Sequence, residues 1–317
     1  ALTISGNLSA SGTGAKTFTL TGTSTALNSI SGVIPNAAGS TAVSVVKDGP
    51  GTWRLSGANT YSGGLTVRQG TLRVAATDNF GGSSSGGTNL VIGGTGAGVT
   101  GTAALLLGQS GSIGKQFTVA PLSGANQRVF VGTYDTSGTA LFAGSTIVLN
   151  RDVTLVAAGS GANKGTARFE TAWGGSTNPN VTVGAVGYEG TVLLTSDLTT
   201  SGTVSVEYGQ LSVGAGANWP SASQVVIAGA GAELKWNSGS ALTSPLVFQQ
   251  GTLSGTGMIS TAVTVGAGAS LSPGNSPGIQ QFTSGLTWGG GGQYLWEIND
   301  WVSGTAGTNF DQIQVTG

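Results

Sequence analysis

The chain has 317 residues, 58 of them glycine, and only 7% are charged. Its net charge is −1, with Lys and Arg placed singly, so it carries no electrostatic footprint for nucleic acid or an anionic membrane. It has neither cysteine nor histidine, which excludes Ser-His-Asp and Cys-His nucleophilic catalysis and speaks against a zinc site.

Residues 1 to 46 open with short apolar alternations, Leu2 and Ile4, then Phe18 and Leu20, separated by Ser/Gly turns. Period-2 alternation bounded by turn residues marks half-buried strands. Residues 45 to 74, VVKDGPGTWRLSGANTYSGGLTVRQGTLRV, hold the clearest unit: Trp53 and Leu55, Leu65 and Val67, Leu72 and Val74 alternate with polar neighbours. Residues 76 to 102 are a Gly/Ser-rich segment read as turns and a protruding loop, with a short strand at Leu90 to Ile92. From 103 to 189 the strands become more aliphatic, with glycine turns about every ten to thirteen residues. Residues 272 to 278, SPGNSPG, contain two Pro-Gly pairs suited to type II turns. Residues 272 to 317 form a Trp-rich C-terminal region, with Trp288, Trp296 and Trp301 expected to cover the end of a core.

The unit at 45 to 74 returns. A shift of 139 places Gly51, Leu55, Gly64, Val67, Gly70, Leu72 and Val74 on Gly190, Leu194, Thr203, Val206, Gly209, Leu211 and Val213. A shift of 181 places Leu55, Leu65, Val67, Gly70 and Leu72 on Trp236, Leu246, Phe248, Gly251 and Leu253. The copies at 190–213 and 231–254 make this a repeat protein, a single solenoid over 1–317. No stretch shows the 3.6 period over a helical length, and Val, Thr, Ser and Gly disfavour helix, so helix content is expected near zero. Gly51 to Gly70 and Gly190 to Gly209 are both 19 apart. Very short strands with that step point to an all-β, right-handed parallel β-helix, three strands and three corners per turn. At about 19 residues per rung it would have roughly 16 rungs. Gly51, Gly64 and Gly70 are expected at positive-φ corners, and Leu55, Val67, Leu72 and Val74 in core columns.

GPGTWRLSGANTYSGGLTVRQGTLRV resembles the passenger-associated, or autotransporter-associated, β-strand repeat of large bacterial surface proteins. LSPGNSPGIQQF, QYLWEIND and GTNFDQIQVTG resemble the C-terminal portion of the same proteins. Trp53 stands where that repeat usually has Leu, and Leu65 where it has Thr. The resemblance implies a β-helix at or beyond the bacterial outer surface, with a mainly structural or adhesive role; it does not imply an enzyme.

Among polar residues, Asp152, Glu170, Glu189 and Glu207 are spaced 18, 19 and 18, so one rung per step would stack them on one face. Such a row would need a cation or flanking bases, since like carboxylates about 5 Å apart repel by about 3 kcal/mol at an effective dielectric of 20. A polysaccharide-active β-helix would use a row of this kind with Arg151 and Arg168 beside it; scattered solvent-facing charges are the preferred reading. Gly96, Gly98 and Gly101 match G-x-G-x-x-G without a surrounding βαβ unit, so the match is compositional. No cofactor is expected. Five residues, Ala103 to Leu107, form the longest aliphatic run, where about 20 are needed to span a bilayer. The start at Ala1 suggests a removed signal peptide or a piece of a longer chain. The expected role is an extracellular fibre or surface passenger that stacks end to end or continues into a longer polypeptide; the alternative is an adhesin binding glycan through loops such as 76 to 89.

Overall fold

The computed structural model describes all residues except 77–79, 82–89, 95–98, 100, 122–126, 145, 176–177, 220–221, 301 and 303. Its strands are two to nine residues long, and the described helical content is one 3-10 turn at Ala38–Ser40. All ladders between strands are parallel apart from a small hairpin, Gly159–Ser160 against Asn163–Lys164. This is the parallel β-helix that the short alternating strands imply.

Three sheets form the sides. Sheet I has eleven strands, from Thr3–Ile4 to Leu246–Phe248. Sheet II has nine, from Ser112–Ile113 to Gln293–Tyr294, and sheet III has seven, from Lys16–Leu20 to Trp173–Gly174. One turn of the helix runs Arg128–Thr133 on sheet I, Thr139–Phe142 on sheet II, Ile147–Leu149 on sheet III, then Val153–Ala157 back on sheet I. Alternation within each strand sends one set of side chains inward. On sheet I the inward column Trp53, Leu72, Leu105, Val131, Leu155, Val183, Val206 and Ile227 is in register through consecutive strands. All of these are buried, and burying each such side chain contributes about 1.5–3 kcal/mol. Leu55, Val67, Leu72 and Val74 are fully buried, as the repeat pattern predicts.

The uniform step of about 19 residues does not hold. Thr52 pairs with Thr71, Thr191 with Gln210 and Leu234 with Leu253, each 19 apart. Elsewhere on sheet I the partners are farther apart: Leu72 pairs with Leu105, Leu155 with Val183 and Val206 with Ile227. Beyond the eleven strands of sheet I, Val263–Val265 and Leu286–Trp288 form a further parallel pair. The described stack thus has fewer, longer turns than the roughly sixteen expected. Ladder pairing constrains the strands, while the corners can take extra residues at small cost in closure entropy.

The sides exchange regularity along the stack. Before Ser112 the side of sheet II is built from loops that side chains stitch together: Asn7 and Asn59 accept from the Val33 and Ile34 amides. Past Gly174 the side of sheet III is reduced in the same way. There the Thr199 hydroxyl donates to the Trp173 carbonyl, and single bridges link Leu242, Ile259 and Phe282. Between them the core is aromatic. Phe142 stacks on Phe169 at 4.4 Å, with Phe117 and Trp173 on either side at 6.3 and 5.3 Å.

Of the three corner glycines, Gly64 and Gly70 have φ of 103° and 75°. Gly51 does not have positive φ; glycine is required there because a Cβ would lie 2.7 Å from the Ser24 carbonyl oxygen. Rung-to-rung contact, and not dihedral strain, fixes that residue.

Candidate functional site

Glu207 directly follows the sheet I strand Thr203–Val206, and Glu189 stands two residues before the sheet II strand Thr191–Leu194. Both therefore sit at the corner between sheets I and II, one turn apart. Thr191 pairs with Gln210, which brings Glu189 level with Tyr208 on the next rung. The backbone is anchored on both sides: the Glu189 amide donates to the Gly159 carbonyl and the Glu207 amide to the Val183 carbonyl. On later rungs this corner consists of Ala228, Gly229, Ala230 and Gly231, then Gln250. These small residues leave a groove of about 500 Å³, walled by Glu189, Glu207, Tyr208 and Gln250. Tyr208 is 37% exposed, so one ring lines an open, polar trough. Neither carboxylate belongs to an ion pair among the described residues. The trough presents carboxylate acceptors, a phenol and an amide, which suits a hydroxyl-rich or cationic ligand.

The other two carboxylates of the row are elsewhere. Asp152 lies at the corner from sheet III into sheet I, where it accepts from the Asn180 amide and side chain. Glu170 follows the sheet II strand Thr166–Phe169 and pairs with Arg168. The equal spacing of the row misleads because unequal corners shift successive turns out of phase. Among the described residues there is no group of three or more Asp, Glu, His or Cys placed to hold a metal ion. Arg151 is not beside the trough. It is buried at the corner from sheet III to sheet I, where it donates to the Gln127 side chain and carbonyl, and desolvation lowers its pKa.

Several buried polar residues carry no sequence signal of their own. Lys47 is fully buried; its ammonium donates to the carbonyls of Asp48, Gly49 and Gln69 at 3.2, 2.6 and 2.9 Å. Burial pulls its pKa down to about 8, against the opposing effect of Asp48. Asp311, 3% exposed, accepts from the Gly278 and Glu297 amides and so pins the Pro-Gly turn to the C-terminal rungs. Lys47 belongs to an alternating strand pattern that marks its position as inward, which is the only hint available.

Trp288 is in register with the inward, fully buried Val265 on the last strand of its ladder. Trp288 and Trp296 are 44% and 51% exposed, and Trp296 donates its indole N–H to the Asp311 carbonyl. Trp301 lies outside the described residues, as does most of the loop at 76 to 89. No helix among the described residues is long and apolar enough to cross a membrane.

No curated protein and no solved structure matches the chain. Residues 45–74, the best-formed copy of the unit and the source of the Trp53, Leu72 and Val74 core positions, match the family model of the passenger-associated-transport-repeat.

Proposed function

We propose that this chain is a structural segment of an extracellular bacterial protein, a β-helical surface passenger whose work is to build length, and that it is not an enzyme. The carrying observation is the passenger-associated-transport-repeat at residues 45–74, which lies within a parallel ladder of eleven strands. Each turn of that ladder buries its apolar columns against the next, so adding turns adds length without changing the cross-section. All three sheets run their strands in one direction, and further turns of one polypeptide or a second copy stacked end to end would continue the ladder head to tail. Protease shaving of intact cells that produce the protein tests the location. Cleavage of the chain without lysis is expected, and protection until lysis would overturn the proposal. End-to-end stacking predicts open-ended growth of mass with concentration in light scattering, and a fixed mass argues against it.

A second reading, an adhesin for a sugar, draws on the trough with Tyr208, Glu189 and Glu207. An exposed ring next to acceptors is the minimal equipment for stacking on and hydrogen-bonding a saccharide. Glycan-array binding that is lost in Tyr208→Ala would favour it.

A further inference from the structure

The near-zero net charge hides a division along the stack. Residues 1–134 hold seven Lys and Arg against two Asp and Glu, a formal charge of +5. Residues 135–317 hold four against ten, a formal charge of −6. One outward column of sheet I displays this division. Arg54 is in register with Arg73, Arg73 with Leu106, Leu106 with Gly132, and Gly132 with Val156. The same column continues one residue beyond the pairs Leu155–Val183 and Val183–Val206, through Gly184 to Glu207. It therefore reads two arginines, four uncharged residues and a glutamate, with Glu189 at the corner beside that end.

The basic end is under-neutralised. Arg73 lies over the Tyr134 ring at 5.0 Å, and Arg54 donates a hydrogen bond to the Tyr134 hydroxyl. The buried Nε atoms of both arginines have no acceptor among the described residues. Asp135 is close enough to act on Tyr134, so among the described residues one nearby carboxylate faces two guanidiniums. The middle of the column is apolar and already covered by the chain itself: Leu106 and Val156, with Ala104, are buried beneath Phe130, Tyr134, Ala185 and Tyr188, which form the surface there. Val186, next to that cluster, is 81% exposed.

We propose that two copies of this chain pair side by side and antiparallel over the outer side of sheet I, with Arg73 of each set against Glu207 of the other and Arg54 and Glu189 adding to the charge at the two ends. A two-fold axis between Gly132 and Val156 generates both contacts at once, because Arg73 and Glu207 are equally many strands from it on opposite sides. Parallel pairing would set like charge on like. A polyanion lying along the rod would meet the −6 half, which favours a second copy as the occupant. The contact is lateral and closes at two, which sets it apart from stacking at the strand edges.

Sedimentation equilibrium of the full chain at about 20 mM and about 500 mM NaCl tests this, because salt shortens the Debye length several-fold over that range. The wild type is expected to dimerise at low salt, with a dissociation constant raised about tenfold or more at high salt. Arg54→Glu with Arg73→Glu, and separately Glu189→Lys with Glu207→Lys, should each be monomeric. Mixed one to one, they should recover a dimer, since one of the two contacts then keeps the native charges and the other pairs the two substituted sites with reversed sign. A wild-type monomer at low salt overturns the proposal, as does a charge-reversed variant that dimerises like the wild type. Open-ended growth insensitive to charge reversal overturns it too, and would point to edge stacking alone. Should either variant fail to fold, judged by circular dichroism, the salt dependence of the wild type still decides.

Discussion

Gly70→Ala is the substitution most directly exposed to the geometry of the stack. Gly70 starts the sheet I strand Gly70–Ala76 with φ of 75°, where an L side chain costs about 1–2 kcal/mol. A Cβ there would stand 2.3 Å from the Gly49 carbonyl oxygen, 2.6 Å from that of Gly51 and 2.6 Å from the Lys47 ammonium. Two of these are backbone atoms of the preceding turn, so relief requires the rungs to separate, and overpacking of this kind adds about 1–3 kcal/mol. The total expected is about 2–5 kcal/mol. Gly161→Ala isolates the dihedral part: φ is 60° and nothing lies within 4 Å, so about 1–2 kcal/mol is expected. Urea unfolding followed by tryptophan fluorescence measures the difference, with hydrogen exchange over 65–76 as the local check. If Gly70→Ala costs no more than Gly161→Ala, the close approach of neighbouring turns is wrong.

Lys47→Met should destabilise by about 3 kcal/mol in the same assay, because three inward carbonyls lose their shared donor. It should also change the alkaline limb. Lys47 has a folded pKa of about 8, below that of an unfolded lysine, so between the two the unfolded chain binds the extra proton and stability rises with pH; Met removes that rise. Tyr61 shifts the opposite way: burial raises its pKa above the unfolded value of about 10, so its contribution is present below about pH 10 and lost above it. Its hydroxyl is buried without a partner among the described residues, so Tyr61→Phe is expected to leave stability unchanged or raise it by about 1 kcal/mol and to flatten the loss above about pH 10. Phe169→Ala removes the ring stacked between Phe142 and Trp173 and should cost about 3–5 kcal/mol in thermal or chemical unfolding.

The fold was legible because its determinants are local. Trp53, Leu55, Leu72 and Val74 declare an inward side by alternation, and Gly64 and Gly70 declare turns by their need for positive φ. Turn length was not legible. Leu72 to Leu105 spans a long excursion that returns to the same ladder position, and nothing in the apolar pattern records how far the chain travels between strands. The acidic row failed for this reason. Glu189 and Glu207 come together because their two rungs happen to keep the short step, and Asp152 and Glu170 fall on other corners. Gly51 shows a subtler limit: its glycine answers to the Ser24 carbonyl of the turn below, a contact set by register and invisible one residue at a time. The division of charge was available in the sequence but is masked by the net value, and it gains meaning only when register aligns Arg54, Arg73 and Glu207 on one face.

The central claim is that successive turns stack in parallel and in register, and distances along a single column test it most directly. Thr71, Thr182, Ser205 and Val226 share an outward column of sheet I, linked through Ala104, Phe130 and Thr154. The chain has no native cysteine, so spin labels at paired cysteine substitutions report without background. At about 4.8 Å per strand, Thr71 should lie about 19 Å from Thr182, about 24 Å from Ser205 and about 29 Å from Val226. Three distances that climb by one strand spacing per turn are the result expected by this account. Distances that fail to increase in that order, as when distant segments fold back into a sandwich or barrel, would contradict it.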